Sequence, residues 1–198
     1  TIDSVAAVQS SRVHLVLPER SVFIGRAEPA SASVVLKLRP GRALGASEVG
    51  GVVHLVHAES DGGPFDGAQI RYARSRDGAA TFEPAREISR PQPQGSESAS
   101  FPALGLEGQD VFVSWELYPD AREHPRGLAI VYSRDGGGTF TRPELVQSSR
   151  DPGGNGSHQG RLMRKLAVRD GRIAVVNSAL QQDVRSRVWM IFGRLAAR

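Results

Sequence analysis

The stretch Ser75-Arg76-Asp77-Gly78-Ala79-Ala80-Thr81-Phe82 returns 58 residues later as Ser133-Arg134-Asp135-Gly136-Gly137-Gly138-Thr139-Phe140. Each copy follows a strand-like run that ends in an aromatic, Ile70 to Tyr72 and Leu128 to Tyr132. Each leads through a proline into a segment that ends apolar, at Ile88 or Val146. An Asp two residues past a strand end can accept hydrogen bonds from N–H groups of the turn it opens, glycines supply positive φ, and Thr restarts extended structure. The phrase therefore reads as a hairpin turn that locks itself. The Phe after it is delivered in a fixed direction, ready for burial against a sheet.

Working outward, the periodicity is strand-like nearly everywhere, and no segment of about 12 residues or more carries a 3.6-residue repeat. One strand recurs four times, as Arg12 to Glu19, Val52 to Glu59, Asp110 to Glu116 and Arg172 to Ser178. The first two share Val-His-Leu-Val, at Val13 to Val16 and Val53 to Val56. Short strands repeating every 40 to 60 residues or so are the pattern of propeller blades. The clearest unit has strands at Phe101 to Leu106, Val111 to Leu117, Leu128 to Ser133 and Glu144 to Ser148. The unit before it has Val52 to Glu59, Gln69 to Arg74 and Arg86 to Ser89, with its opening strand expected within Val34 to Leu44. The sequence thus predicts an all-β, β-propeller-like domain spanning 1–198. It contains about four blade units of antiparallel strands, at 1–33, 34–90, 91–150 and 151–198, in a small or incomplete ring. The last unit has only three strands, ending near Gly193. A small four-bladed ring, an arc completed by another chain and a piece of a larger protein all fit.

Composition is that of an ordinary globular protein, 39% hydrophobic and 23% charged, with Gly 22 and Pro 12 suiting many turns. No run approaches the roughly 18 apolar residues of a membrane span. The absence of Cys excludes disulfides, thiolate metal sites and Cys nucleophiles. The net charge of +4 is unevenly spread: residues 161–198 carry nine Lys/Arg against Asp170 and Asp183, or +7, leaving −3 for the rest. Nucleic-acid binding would want that charge interleaved with aromatics on one face. Only Trp189 and Phe192 offer any, so nucleic acid is not expected. Solvated strand edges that discourage edge-to-edge pairing suit the basic segment best, and docking to an acidic protein surface or peripheral contact with anionic lipid comes between.

The repeated phrase resembles the Asp-box, or BNR, repeat of sialidase-like β-propellers, with Phe in place of the usual Trp. The resemblance assigns Ser75, Asp77, Gly78, Thr81 and Phe82, and likewise Ser133, Asp135, Gly136, Thr139 and Phe140, to structural turns rather than to a ligand site. The family's early Phe/Tyr-Arg-Ile-Pro motif is missing, since Val22-Phe23-Ile24-Gly25-Arg26 does not match it. Gly160-Arg161-Leu162 resembles only faintly a later arginine-bearing strand start. The family's catalytic Tyr and Glu cannot be placed. The resemblance therefore carries the architecture over roughly residues 45–195 and not the active site.

Loop lengths point to one functional face. In an up-and-down blade the phrases and the short turns Glu107-Gly108-Gln109 and Arg169-Asp170-Gly171 share one end. The long polar loops Ser60 to Ala68, Arg90 to Ser100, Tyr118 to Gly127 and Ser149 to Gly160 share the other, where binding residues concentrate. The binding candidates there are Asp61, Asp66, Arg90, Glu116, Tyr118, Asp120, His124, Arg126, His158 and Arg161. No residue is assigned to catalysis, and Glu19, Glu59 and Glu116 look like a repeated rim feature. His54 and His57 differ in strand parity and cannot chelate together, so no metal or other cofactor is expected. The sequence reads as an exported non-catalytic binding or assembly module, periplasmic or extracellular after loss of a leader, whose partner is an acidic protein surface or a glycan. The competing reading is a divergent or truncated sialidase-type glycoside hydrolase acting on anionic glycans.

Overall fold

A computed structural model describes residues 5–7, 13–16, 21–26, 34–37, 44–60, 62, 66–120, 127–149, 166–179 and 187–195. Among them the chain forms four antiparallel sheets, each a meander in sequence order. The first holds β1 (Val5–Ala7), β2 (Val13–Val16), β3 (Ser21–Arg26) and β4 (Val34–Lys37). The second holds β5 (Leu44–Val49), β6 (Val52–Ser60), β7 (Ala68–Ser75) and β8 (Arg86–Glu87). The third holds β9 (Ser98–Glu107), β10 (Asp110–Tyr118), β11 (Gly127–Ser133) and β12 (Glu144–Leu145). The fourth holds β13 (Leu166–Arg169), β14 (Arg172–Ala179) and β15 (Arg187–Arg194). A single 3-10 turn, Pro93–Gly95, is the only helical element among the described residues. The all-β, propeller-like class read from the sequence is the class observed, and the described residues form no closed ring.

One strand belongs elsewhere than expected. Val34–Lys37 pairs with β3, Val34 opposite Ile24 and Lys37 opposite Ser21. It thus closes the first sheet instead of opening the second. Pro40 follows it in the sequence and, lacking an N–H, cannot extend a ladder. The opening strand of the second sheet is β5, which the two-residue Gly50-Gly51 turn sets directly against β6, Val49 opposite Val52.

The middle strands show why these sheets stack. β6 and β10 are rich in β-branched and aromatic residues, and both are buried nearly end to end rather than on alternate residues. A strand loses the alternation of a half-exposed sheet when both of its faces are covered. One face of β10 (Val111, Val113, Trp115, Leu117) packs with Val56, Ile70 and Tyr72 of the second sheet. On the other, Phe112 packs with Leu166, Ile173 and Val175 of the fourth. The opening strand β9 runs alongside both β5 and β13. At Gly105 of β9 a Cβ would lie 2.7 Å from Val168 Cγ2 and 3.2 Å from Leu166 Cγ. Only glycine lets the third and fourth sheets approach this closely.

Opposite Trp115 the β9–β10 ladder skips a residue, and Phe101 there takes φ +54, a local β-bulge. The expected rim of equivalent glutamates is not present. Glu59 pairs with Gln69 and Glu116 with Leu128, whereas the residue equivalent to Glu116 in β6 is Ala58, opposite Ile70. The two strands end in Glu one residue out of step, and with a side-chain period of two this sends the carboxylates to opposite faces. Glu19 lies outside the described residues.

Candidate functional site

The repeated turns come first, because they fix the ends of β7 and β11. In the first, Ser75 Oγ donates to Asp77 Oδ1 at 2.7 Å and accepts from Ala79 N at 2.8 Å. Asp77 Oδ1 accepts from Thr81 N at 2.9 Å, and its Oδ2 accepts from Thr81 Oγ1 at 2.5 Å. The second turn repeats each bond. Ser133 Oγ donates to Asp135 Oδ1 at 2.6 Å and accepts from Gly137 N at 2.8 Å. Asp135 accepts from Thr139 N and Thr139 Oγ1, both at 2.8 Å. Gly78 and Ala79 take φ +69 and +70, and Gly136 and Gly137 take +65 and +77. Hydrogen bonds to the charged form hold both carboxyls far below the usual carboxylate range, led by Thr81 for Asp77 and by Ser133 for Asp135.

The second turn also ties the third sheet to the second. Arg74 Nη1 donates to Gly136 O at 2.6 Å, and Arg86 donates to Gly138 O at 2.5 Å and to Gly137 O. Phe140 meets Tyr72 edge to face at 4.8 Å, with the Arg86 guanidinium over both rings at 5.3–5.4 Å. Tyr72 bonds His54 Nδ1 at 2.7 Å inside the sheet. Burial, with Arg74 nearby, pushes the His54 pKa down to about 4, and burial pushes that of Tyr72 up to about 12.

At the opposite strand ends, the link from β8 to β9 shapes an open cleft of about 320 Å³ lined by Gln69, Arg90, Pro91, Gln92, Ser96 and Glu97. Gln69 is its hub. Its Oε1 accepts from Ser89 Oγ at 2.9 Å and from Gln92 Nε2 at 3.0 Å, and its Nε2 donates to Glu97 O at 3.0 Å. Glu97 N in turn donates to Tyr118 O at 3.1 Å, which joins the cleft wall to the end of β10. There the buried Tyr118 hydroxyl donates to the buried Glu116 Oε2 at 2.5 Å. The cleft thus presents fixed amide edges, with Gln92 Oε1 buried and unbonded, beside a guanidinium and a carboxylate. Such a set can hydrogen-bond a small hydroxylated or carboxylated ligand.

Of the candidates read from the sequence, Arg90 lines the cleft, where its Nε pairs with Glu87 at 3.3 Å. Glu116 and Tyr118 lie together behind the cleft wall. Asp66 is exposed at the start of β7, and Asp120 is half-buried just past β10. Asp61, His124, Arg126, His158 and Arg161 lie outside the described residues. Gln69, Ser89 and Gln92 escaped the sequence reading because neutral amides and serines in loops carry no motif. The only signal was their place at the start of a third strand and in the long link after it. Among the described residues no group of three or more His, Asp or Glu could hold a metal, and no helix is long and apolar enough to cross a membrane.

The stacked antiparallel meanders define a β-propeller-type fold, and solved structures share it. The chain superposes on a Trypanosoma rangeli sialidase with TM-score 0.57 at 12% identity, covering 84% of this chain and 31% of that one. For a family 117 glycoside hydrolase of Zobellia galactanivorans the values are 0.56, 13%, 77% and 52%. For a Hadza microbial sialidase they are 0.53, 18%, 95% and 43%. At such identities the likeness is one of fold.

Sequence likeness points elsewhere, at the start of the chain. Residues 1–61 match the family model described as the secretory protein of YscJ/FliF RBM domain. The flagellar M-ring protein of Cereibacter sphaeroides is 44% identical over 62 residues, 31% of this chain and 11% of that protein. The one from Salmonella typhimurium is 44% identical over 64 residues, 32% of this chain and 11% of that protein. The chain therefore spans about a tenth of the length of these relatives. The sequence reading took Arg12 to Glu19 for one more blade strand and missed this likeness. The match runs through β5 and β6, so the second sheet is built from strands inside the match and strands beyond it. The expected periplasmic or extracellular location is overturned by the likeness of the start of the chain to flagellar M-ring proteins.

Proposed function

We propose that this protein is a non-catalytic module of a larger assembly, in which the M-ring-like residues 1–61 engage protein partners of flagellar type and the propeller-type sheets present a binding face. The M-ring likeness is the observation that carries this reading. In it, the two locked turns are Asp-box repeats that serve as structural fasteners between sheets. The cleft around Gln69 takes a glycan or an acidic protein segment, and the basic segment 161–198 favours an acidic or anionic-lipid surface. The test is sedimentation of the full chain with purified Salmonella typhimurium M-ring protein. Co-sedimentation that an isolated peptide of residues 1–61 competes away supports the reading, and independent sedimentation of the two proteins removes it.

One observation favours a second reading, hydrolysis of an anionic glycan: the Tyr118–Glu116 hydrogen bond beside the long-loop face. A fluorogenic sialoside assay separates the two. The assembly reading expects no turnover. Turnover abolished by Glu116→Gln or Arg126→Ala would replace it with the hydrolase.

A further inference from the structure

Among the described residues the fourth sheet has three strands where the other sheets have four, and the way the second and third are completed shows what a fourth strand there would look like. In both, the segment after the locked turn comes back along the outer edge of the third strand and bonds it at the same points. Glu83 N donates to Arg74 O and Thr141 N to Tyr132 O, each at 2.9 Å. Ile88 N donates to Ile70 O at 2.9 Å and Val146 N to Leu128 O at 2.8 Å. The N–H groups of Ile70 and Leu128 then donate to Ser89 Oγ at 3.0 Å and Ser149 Oγ at 2.9 Å. The closing segment is thus a stretch bearing acids and an arginine, a branched aliphatic and a serine.

The register carries these points onto β15. Ile70 sits opposite Ala58, Leu128 opposite Glu116 and Val188 opposite Ser178, in each case the seventh residue of the middle strand. Arg74, Tyr132 and Phe192 correspond in the same way, opposite His54, Phe112 and Ala174. Ile70 and Leu128 are 0% and 1% exposed, but Val188 is 66% exposed. Tyr72 is 2% exposed, but its counterpart Met190 is 52%, and Phe192 is 75% exposed. Among the described residues none bonds the outer edge of β15 at Val188 or Phe192. Ile70 and Tyr72 are covered by the third sheet and Leu128 by the fourth, so this exposure marks a face of the fourth sheet that no described residue covers, and the template for strand addition is the row of open N–H and C=O groups along the β15 edge.

Charge opposes a second copy of β15 as the occupant. β15 begins at Arg187 and ends at Arg194, so antiparallel pairing with a second β15 about its centre sets Arg187 against Arg194 at both ends, which like charges oppose. Arg169, Arg172 and Arg194 also form one cross-strand row. The segments that close the second and third sheets carry Glu83 and Glu87 with Arg86, and Glu144 with Arg142, and Glu87 lies 4.0 Å from Arg71 of the strand it closes.

We propose that the outer edge of β15 is an acceptor site for one extended segment of a protein partner, bearing acid and arginine and then aliphatic-serine in character, which adds as a fourth strand. This deepens the assembly reading by naming a surface, and it uses no residue of the M-ring-like region. Failure of strand addition therefore leaves the sedimentation result standing, and the converse holds as well. The experiment is amide-resolved NMR on the ¹⁵N-labelled full chain, titrated with a peptide of residues 139–149 (TFTRPELVQSS) as the probe. The expected result is saturable shifts over residues 187–194 and slowing of Val188 amide exchange by about tenfold or more. Peptides carrying Val146→Asp or Ser149→Ala should bind several-fold more weakly. The proposal is overturned if the Val188 amide is already protected without peptide, whether by the chain itself or, with rising concentration, by a second copy. It is equally overturned if a scrambled peptide binds as well, or if the shifts fall on Leu128 in place of Val188.

Discussion

Replacing Gly137 by Ala probes the junction between the second and third sheets. Gly137 takes φ +77, where an L side chain costs about 1 kcal/mol. A Cβ built there would lie 1.8 Å from Tyr72 Oη, 2.5 Å from Tyr72 Cζ and 3.0 Å from Tyr72 Cε1. No relaxation of a methyl resolves 1.8 Å, so the Tyr72 ring must move. That ring is packed on Phe140 and bonded to buried His54, and breaking a buried hydrogen bond costs about 2 kcal/mol more. Gly137→Ala should therefore destabilise by about 3 kcal/mol in urea unfolding at near-neutral pH, with unchanged m-value. In a Tyr72→Leu background, which removes all three close atoms, the same substitution should cost only the backbone share of about 1 kcal/mol, giving a coupling of about 2 kcal/mol. The equivalent residue of the first turn is already Ala79, buried at φ +70. Ala79→Gly relieves strain but exposes a methyl-sized gap, and should be neutral to within about 0.5 kcal/mol. A cost for Gly137→Ala that is the same with and without Tyr72 would refute the argument that the second turn is held by its neighbour sheet.

Acid should weaken the fold through His54. Its folded pKa of about 4 lies below the unfolded value of 6.5, so as pH falls below 6.5 the unfolded chain takes up a proton that the folded chain refuses. Stability contributed at neutral pH should fall by about 3 kcal/mol between these values and level off below; a His54→Phe variant whose stability follows the same pH curve would disprove the assignment. His57, also pushed down mainly by burial, acts with the same sign. Asp135→Ala should lower the urea midpoint while leaving binding to the opposite cleft unchanged, because the turn and the cleft lie at opposite strand ends; a change in cleft affinity without a change in midpoint would contradict it. The depressed carboxyls of Asp77 and Asp135 contribute stability that is present above their ordinary value of 3.8 and lost as pH falls towards their folded values. Glu107 accepts from the N–H groups of Asp170 and Gly171, the latter at 2.7 Å, across the junction of the third and fourth sheets. Glu107→Ala should cost about 1 kcal/mol at this part-exposed site, with amide exchange at Gly171 rising before that at Tyr72.

The sequence by itself determined what is closed within a few residues. Ser75, Asp77 and Thr81, like Ser133, Asp135 and Thr139, find all their turn partners within one short phrase, so reading the phrase was enough to place the turns and the strands they join. The Val-rich periods of β6, β10 and β14 were legible for a related reason, since a strand's own side chains state which residues must be buried. Tertiary structure decided whatever depends on a partner far along the chain. Gly137 meets Tyr72 and Gln69 meets Glu97 only after sheets have stacked, and no local pattern encodes either contact. Val34–Lys37 was free in sequence to join either neighbouring sheet until pairing with β3 fixed it. Glu59 and Glu116 looked alike because each ends a similar strand, but a side-chain period of two turns one residue of offset into opposite faces. The exposure of Val188, Met190 and Phe192 is of the same kind: their sequence is that of a buried strand, and only the stacking of the sheets shows that no described residue covers this face of β15.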